Sequence, residues 1–537
     1  MHNSSRNGWY LVRPLEEYLT TTRMVLVRRI GMRIFASAIL VLLCIGSYHN
    51  SLRNEFAFDD YLAIVNNVDV MYGSNGTNHL SEYAKLWSKD IWGKEMTAHD
   101  SHRSYRPLLV TVFKLIVHNS GLNARIFRMV SISFHSGATV SVFYLSSMIF
   151  GNECLAFGAA ILFACHPVHV ESVAAVVNMA EAISLTLSII AFCIFYKSSR
   201  VPADVRTDKL SRNVSPLFMQ LLAIPFWVVF LTLSVLFKET GITICGIIVA
   251  TSGTALLLTI KSTYLAKRIT TRNSKSSKSD TLSAIILQSI FKWCETNVSW
   301  LIAALSGVFS YSLFRVSLLV PKGDSNMISF KSFISLFDLK FWRGIKDSVG
   351  KSYLGESKLI RKAENPFSFL KGTEKTLSMM YLHFRYFYQL LWPDSLCAEY
   401  AFDCIPKVSS VRDPRFLLVV IFYSFLVCSF FYFLYRVLMP SSVEVRTAMD
   451  GDVGVEVQES VDKVRQKRES SLLWKVSPEH YLLSLVWMIV PFIPASGKTK
   501  EPSLLSTYLH LLFSPLPLLL HDYMILSLSC KYHYHHY

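Results

Sequence analysis

Apolar runs of membrane-crossing length recur along this chain, and they decide its class before anything else is weighed. A helix needs about 20 predominantly apolar residues to cover the hydrocarbon thickness of a bilayer. Runs that meet or approach this length are read at 34–48, 127–150, 154–165, 179–196, 216–237, 242–260, 297–320, 416–435, 480–493 and 504–528. The stretch 376–392 carries His383, Arg385, three tyrosines and Gln389, and is too polar for a lipid-facing span. It suits a helix that lines a cavity or lies at the interface. The expectation is an all-α, polytopic membrane protein with about ten or eleven transmembrane helices. Composition agrees: only 17% of residues are charged, against about 25% in soluble domains.

A formal charge of +16 would ordinarily raise the question of nucleic acid. Here the excess sits in short segments between apolar runs, which is the positive-inside pattern. The connector 197–212 holds Lys197, Arg200, Arg206, Lys209 and Arg212, and 261–278 is basic with no acidic residue. Arg23, Arg28, Arg29 and Arg33 precede the first run, and no small-residue cleavage site closes it. That run reads as a retained anchor with residues 1–33 in the cytosol. The loop 50–106 and the long basic loop 321–375 then fall on the lumenal side. A membrane core occupies 34–320 and continues over 376–496, with a charged cytosolic loop at 443–475. Asn75 sits in an acceptor sequon on the lumenal side. Trp87 and Trp92 suggest an amphipathic segment on the membrane surface. Cys397 and Cys404 could pair if their loop is lumenal. No C-x-x-C pattern and no 34-residue helical repeat is found.

Chemistry-bearing residues gather at the lumenal ends of the runs. Asp59 and Asp60 follow the first run by a few residues, flanked by Phe56, Phe58 and Tyr61. Adjacent carboxylates there are either a cap or turn, or an acidic pair held where charge is needed. His166, His169 and Glu171 lie within six residues at a turn between runs. They can shape a polar pocket or carry a proton; their spacing is no established metal pattern. Lys238 and Glu239 end another run, and Arg103, Arg106 and Arg385 are further cations able to reach that face. A guanidinium suits phosphate because its planar fork donates two bonds at once. The same set would also make a structural ion-pair network. Two other classes stand beside an enzyme. A transporter would place its polar groups along the spans and tend to show internal repeats. A non-enzymatic scaffold would bind without turnover.

The strings Phe56-Ala57-Phe58-Asp59-Asp60 with Ile64 and Asn67, Ser104-Tyr105-Arg106-Pro107-Leu108, His166-Pro167-Val168-His169-Val170-Glu171 and Lys238-Glu239-Thr240-Gly241-Ile242-Thr243 resemble the transmembrane and tetratricopeptide-repeat protein O-mannosyltransferases. So do Glu364-Asn365-Pro366, Trp392-Pro393 with Cys397, and Cys404-Ile405-Pro406. The likeness runs in order over roughly 50–496. It implies a C-type glycosyltransferase fold in the endoplasmic reticulum membrane. It also implies dolichyl-phosphate-mannose as donor, and Ser/Thr hydroxyls of secretory-pathway proteins, cadherin-type domains among them, as acceptors. Two departures stand out: the tetratricopeptide repeats are absent, and 497–537 reads as an atypical, truncated or misjoined tail.

Sugar transfer from a lipid phosphate needs one base for the acceptor's proton and cations for the departing phosphate. The expectation is inverting displacement, with Asp59 or Asp60 as base and the other orienting it. Arg103, Arg106, Lys238 and Arg385 are the candidates for the phosphate, and His166, His169, Glu171 and Glu239 for the pocket. No metal is required, since side-chain cations can serve.

Overall fold

The computed structural model describes residues 9–71, 83, 85–98, 101–102, 104–199, 216–273, 282–318, 367, 370–394, 396 and 404–438. Among them the chain is helical, and β-structure is limited to one bridge between Lys89 and Glu95. Eleven helices matter here: α1 (Trp9–Tyr48), α2 (Pro107–Ser120), α3 (Ala124–Phe150), α4 (Glu153–Cys165), α5 (Val170–Ala174), α6 (Ala180–Ser199), α7 (Pro216–Phe237), α8 (Thr243–Asn273), α9 (Leu282–Ser317), α10 (Gly372–Leu391) and α11 (Arg415–Leu438). Seven segments are long and apolar enough to cross a membrane, eight if the bent pair of α4 and Pro167–Ala174 is one span. These are the eight expected runs that fall on described residues. The runs 480–493 and 504–528 lie outside them, as do the 443–475 loop, the 497–537 tail and most of 321–375.

Local chemistry sets the alternation of the spans. The α3–α4 hairpin turns on Gly151, whose φ of +64° is a left-handed conformation open to glycine at little cost. Asn152 then caps α4, its side chain accepting from the N–H groups of Cys154 and Leu155. At this end Arg33 of α1 meets Glu153 at 2.5 Å and donates to Ser147 Oγ at 2.8 Å. The other end of α1 leads to Asp59. Because the helices alternate, the ends of α6 and α8 that flank the basic connectors lie at the Arg33 end, away from Asp59.

The core of the bundle lies among α3, α6, α7, α8 and α9. Its centre is the edge-on pair Trp227 and Trp300, with ring centroids 5.9 Å apart, both fully buried. Nearby, α6 and α7 come close on small hydroxyl residues. Ser184 Oγ donates to the carbonyl of Ser234 at 3.0 Å, and Ser234 Oγ donates back to the carbonyl of Ser184 at 2.8 Å. Reciprocal bonds of this kind satisfy polar groups where no water is at hand.

The described residues between 54 and 106 fold as a lobe over one end of the bundle, around Ile64, Val70, Leu86 and Ile91. Asn67 ties it together, donating to the carbonyls of Ala63 and Ile91, both at 3.1 Å. The segment around Trp87 and Trp92 is a folded turn. Asp90 accepts from the N–H of Trp92 at 3.0 Å, from the N–H of Lys94 at 2.9 Å and from Ser101 Oγ at 2.6 Å. A side chain that caps its own backbone in this way competes with the helix. The stretch 376–392 becomes the amphipathic α10, which packs on α11 through Leu377, Leu382 and Val419 and through His383 Nδ1 at 2.7 Å from the Tyr423 hydroxyl.

Candidate active site

A cluster of charge sits where the 54–106 lobe meets the helix ends. Its first component is the turn at 56–60. Phe58 has φ of +50°, a left-handed conformation that a bulky residue adopts only when its surroundings hold it there. Asp60 supplies part of that hold. Its carboxylate accepts from the N–H of Val177 at 3.0 Å and from the N–H of Ala57 at 3.3 Å, and the residue is 1% exposed. Arg128 supplies the rest. Its guanidinium donates to the carbonyl of Asn54 at 3.1 Å, and also to the carbonyls of Glu55 and Ala174. One buried cation thus fastens the chain before the acidic pair to the turn after α5.

With Asp60 occupied, Asp59 is the carboxylate left over. It is half-buried and accepts no hydrogen bond among the described residues. Burial pushes its carboxyl up to about 6; the charge of Asp60 adds to the rise and Arg106 opposes it. Asp60 is also raised by burial, against the pull of the Val177 and Ala57 N–H groups and of Arg128. Two adjacent carboxylates therefore have separate surroundings: one is spent on backbone, the other is poised near neutrality.

The cationic side is built by the two motifs around Arg106 and Lys238. Glu239 is 4% exposed and joins them. Its Oε1 accepts from the N–H of Tyr105 at 2.9 Å, and its Oε2 lies 3.4 Å from Arg106 Nε. Arg315, from the end of α9, approaches Oε1 at 3.7 Å. Lys238 is buried and ion-paired with Glu181 of α6. Glu171 lies within electrostatic reach of Glu181, Lys238 and Asp59, and accepts from Asn178 Nδ2 at 3.3 Å. The backbone after Lys238 passes so close to α7 that a Cβ on Gly241 would stand 2.8 Å from the carbonyl carbon of Ser234. That closeness explains why a glycine follows the Lys–Glu pair.

Asp59, Asp60, Arg106, Glu171, Lys238 and Glu239 are therefore brought together at this end of the bundle. His166 and His169 belong to the adjoining turn. His166 Nδ1 accepts from the N–H of Val168 at 3.1 Å, its Nε2 lies 3.0 Å from the carbonyl oxygen of Leu390, and His169 packs on Phe163 and His135. Arg385 lies over the ring of Tyr388 and makes no contact with the acidic cluster among the described residues. Arg103 and Asn75 fall outside those residues, as does Cys397. Among the described residues no three His, Cys, Asp or Glu side chains converge as metal ligands would. Arg128, Glu181 and Arg315 were not anticipated. The signal was present, since each is an ionisable group within or at the rim of an apolar run.

The family model for protein O-mannosyl-transferase TMTC, DUF1736, matches residues 355–427. Human protein O-mannosyl-transferase TMTC1 is 38% identical over 202 residues, 37% of this chain and 21% of that protein. Human protein O-mannosyl-transferase TMTC2 is 24% identical over 486 residues, covering 84% of this chain. The chain is similar to the TMTC protein O-mannosyl-transferases over these residues. Human TMTC4 is 31% identical over 231 residues. The match to TMTC2 covers 47% of that relative, so this chain spans about half its length or less. No solved structure matches the chain. The TMTC DUF1736 match takes in α10 and the first half of α11, whereas the charged cluster is built from residues 54 to 315.

Proposed function

We propose that the chain is a multispanning protein O-mannosyltransferase of the endoplasmic reticulum membrane. The donor is dolichyl-phosphate-mannose, and the acceptors are Ser/Thr hydroxyls of secretory-pathway proteins, cadherin-type domains among them. The observation that carries this reading is the division of labour between Asp59 and Asp60. A transferase acting on a lipid-phosphate sugar needs a single base beside a cationic surface, and Asp59 lies within electrostatic reach of Arg106.

The reaction balances as follows. The acceptor hydroxyl oxygen forms a bond to the sugar's anomeric carbon as the bond from that carbon to the phosphate oxygen breaks. The hydroxyl proton passes to Asp59, and the bonding pair leaves with the lipid phosphate, whose charge rises from one to two. Attack opposite the leaving group inverts the anomeric centre, as in glycosidases that work with a base on the far face. Because charge develops on the leaving phosphate, Arg106 stabilises the transition state more than the ground state. Asp60 and Arg128 hold the turn that aims Asp59. Glu239 orients Arg106, and the Lys238–Glu181 pair fixes the mouth of α7.

Human TMTC1 and TMTC2 carry the name protein O-mannosyl-transferase, which supports the class of reaction. The decisive test is transfer of radiolabelled mannose from the lipid donor to a cadherin-domain acceptor by the full chain in nanodiscs. Asp59→Asn is expected to abolish transfer while leaving the fold intact. Undiminished transfer by Asp59→Asn would remove the proposed base.

A further inference from the structure

At the other end of the bundle from the charged cluster, a groove of about 310 Å³ opens between α3 and α6. Ile190, Cys193, Ile194 and Lys197 recur at the i, i+3, i+4, i+7 spacing of one helix face, so a single stripe of α6 makes one wall. Ser141 and Tyr144 stand on the facing wall, from α3. The groove exists because Ser141 and Cys193 are short where the two helices face each other. Ser141 also turns its hydroxyl back on its own helix, donating to the carbonyl of Gly137 at 2.8 Å. The slot therefore presents a largely apolar lining.

Its surroundings say what fills it. Both walls belong to spans, Ala124–Phe150 and Val176–Ser199, so the medium beside the groove is hydrocarbon. A gap between packed helices forfeits dispersion contacts unless something flexible enters it. The volume lies at the small end of the roughly 300–1,000 Å³ range of small-ligand sites, which suits one hydrocarbon chain and not another helix. The mouth is polar and positive. Lys197 is exposed, two residues before the end of α6, and Tyr144 beside it is 39% exposed. Arg33 lies over the Tyr144 ring at 5.8 Å but is ion-paired with Glu153, so Lys197 is the cation that lines the groove itself. A lysine at a span end can snorkel with nothing beneath it. Here an apolar slot runs about 10 Å along the helix below the ammonium, from Lys197 to Ile190.

We propose that the α3–α6 groove binds an anionic glycerophospholipid of the leaflet on the basic-connector side. One acyl chain lies along Ile190, Cys193 and Ile194, and the headgroup meets the Lys197 ammonium and the Tyr144 hydroxyl. Lys197 also opens the basic connector 197–212, and such juxtamembrane clusters attract anionic headgroups. The groove shares no residue with the cluster around Asp59 and Arg106, so the assignment stands whether or not the chain transfers mannose.

The test places the full chain in phosphatidylcholine nanodiscs with spin-labelled phosphatidylserine or spin-labelled phosphatidylcholine as probe, and reads the motionally restricted fraction. Wild type should hold the serine lipid in preference to the choline lipid. Lys197→Gln should lower that preference about fivefold, the worth of one lysine beside an anionic surface, and Lys197→Arg should restore it. Cys193→Leu fills the slot from α6 and Ser141→Leu fills it from α3. Each should reduce the restricted fraction of the serine lipid, and thermal unfolding of both variants identifies any loss that comes from the fold. A serine-lipid preference that Lys197→Gln removes but that survives both filling variants shows a snorkelling lysine with no seated chain, and overturns the site. Equal retention of the two lipids by wild type overturns the anionic identity.

Discussion

The Asp60 carboxylate accepts the N–H of Val177, 117 residues further along the chain, at 3.0 Å. That bond fastens the lobe after α1 to the start of α6, and it separates the roles of two neighbouring carboxylates. Asp60→Asn and Asp59→Asn should therefore fail differently. An amide at position 60 can still accept from one of its two N–H partners, and the loss of the other should cost about 1–3 kcal/mol of stability. An amide at 59 should leave thermal unfolding in detergent near that of wild type and remove transfer. The pair of melting curves, read beside the pair of rates, checks the division.

The carboxyl of Asp59 is raised to about 6 by burial, with Asp60 adding to the rise. A base must be unprotonated to act, so kcat/KM should be flat above about pH 7 and fall tenfold per pH unit below about 6. The sign for stability is opposite to the usual carboxylate case. A folded-state pKa above the unfolded value means the folded form binds more protons between about pH 4 and 6. This group's contribution to stability is therefore full below about pH 4 and lost as pH rises through about 6. A pH–rate profile whose acid limb lies near 4 would place the base elsewhere.

Arg128 bridges Asn54, Glu55 and Ala174 through their carbonyls. Arg128→Met should leave three carbonyl acceptors without this donor and loosen the turn bearing Asp59, costing about 1–3 kcal/mol. Arg128→Lys keeps the charge but not the fork, and should recover part of the stability with a kcat still well below wild type. Chemical unfolding alongside single-turnover transfer separates the two losses.

Gly241→Ala should cost about 1–3 kcal/mol, because the added carbon meets Ser234 backbone at 2.8 Å where no side chain can yield. Ser234→Ala in the same chain should not rescue it. Thermal shift of the single and double variants decides the point.

Much of the bundle was legible in the sequence because hydrophobic length is a local property. The run read at 127–150 is the span Ala124–Phe150, and that at 216–237 is α7, Pro216–Phe237. The site was legible where charge stood at run ends, as at Asp59, Arg106 and Lys238. Glu181 and Arg315 were passed over because each belonged to a run already counted as a span. Their meaning came only from partners distant in sequence, Lys238 and Glu239. Which of the two aspartates was free could not be read at all, since it depends on where the Val177 N–H arrives. The turn at Asp90 was not legible, because its side-chain capping of Trp92 and Lys94 leaves no pattern in the sequence.

One wall of the bundle is low. Helix α4 has 13 residues before the chain bends by 48° at His166, so it rises only about 20 Å against about 30 Å of hydrocarbon. The crossing there is completed by the bent segment Pro167–Ala174 or met by a thinner bilayer along that flank.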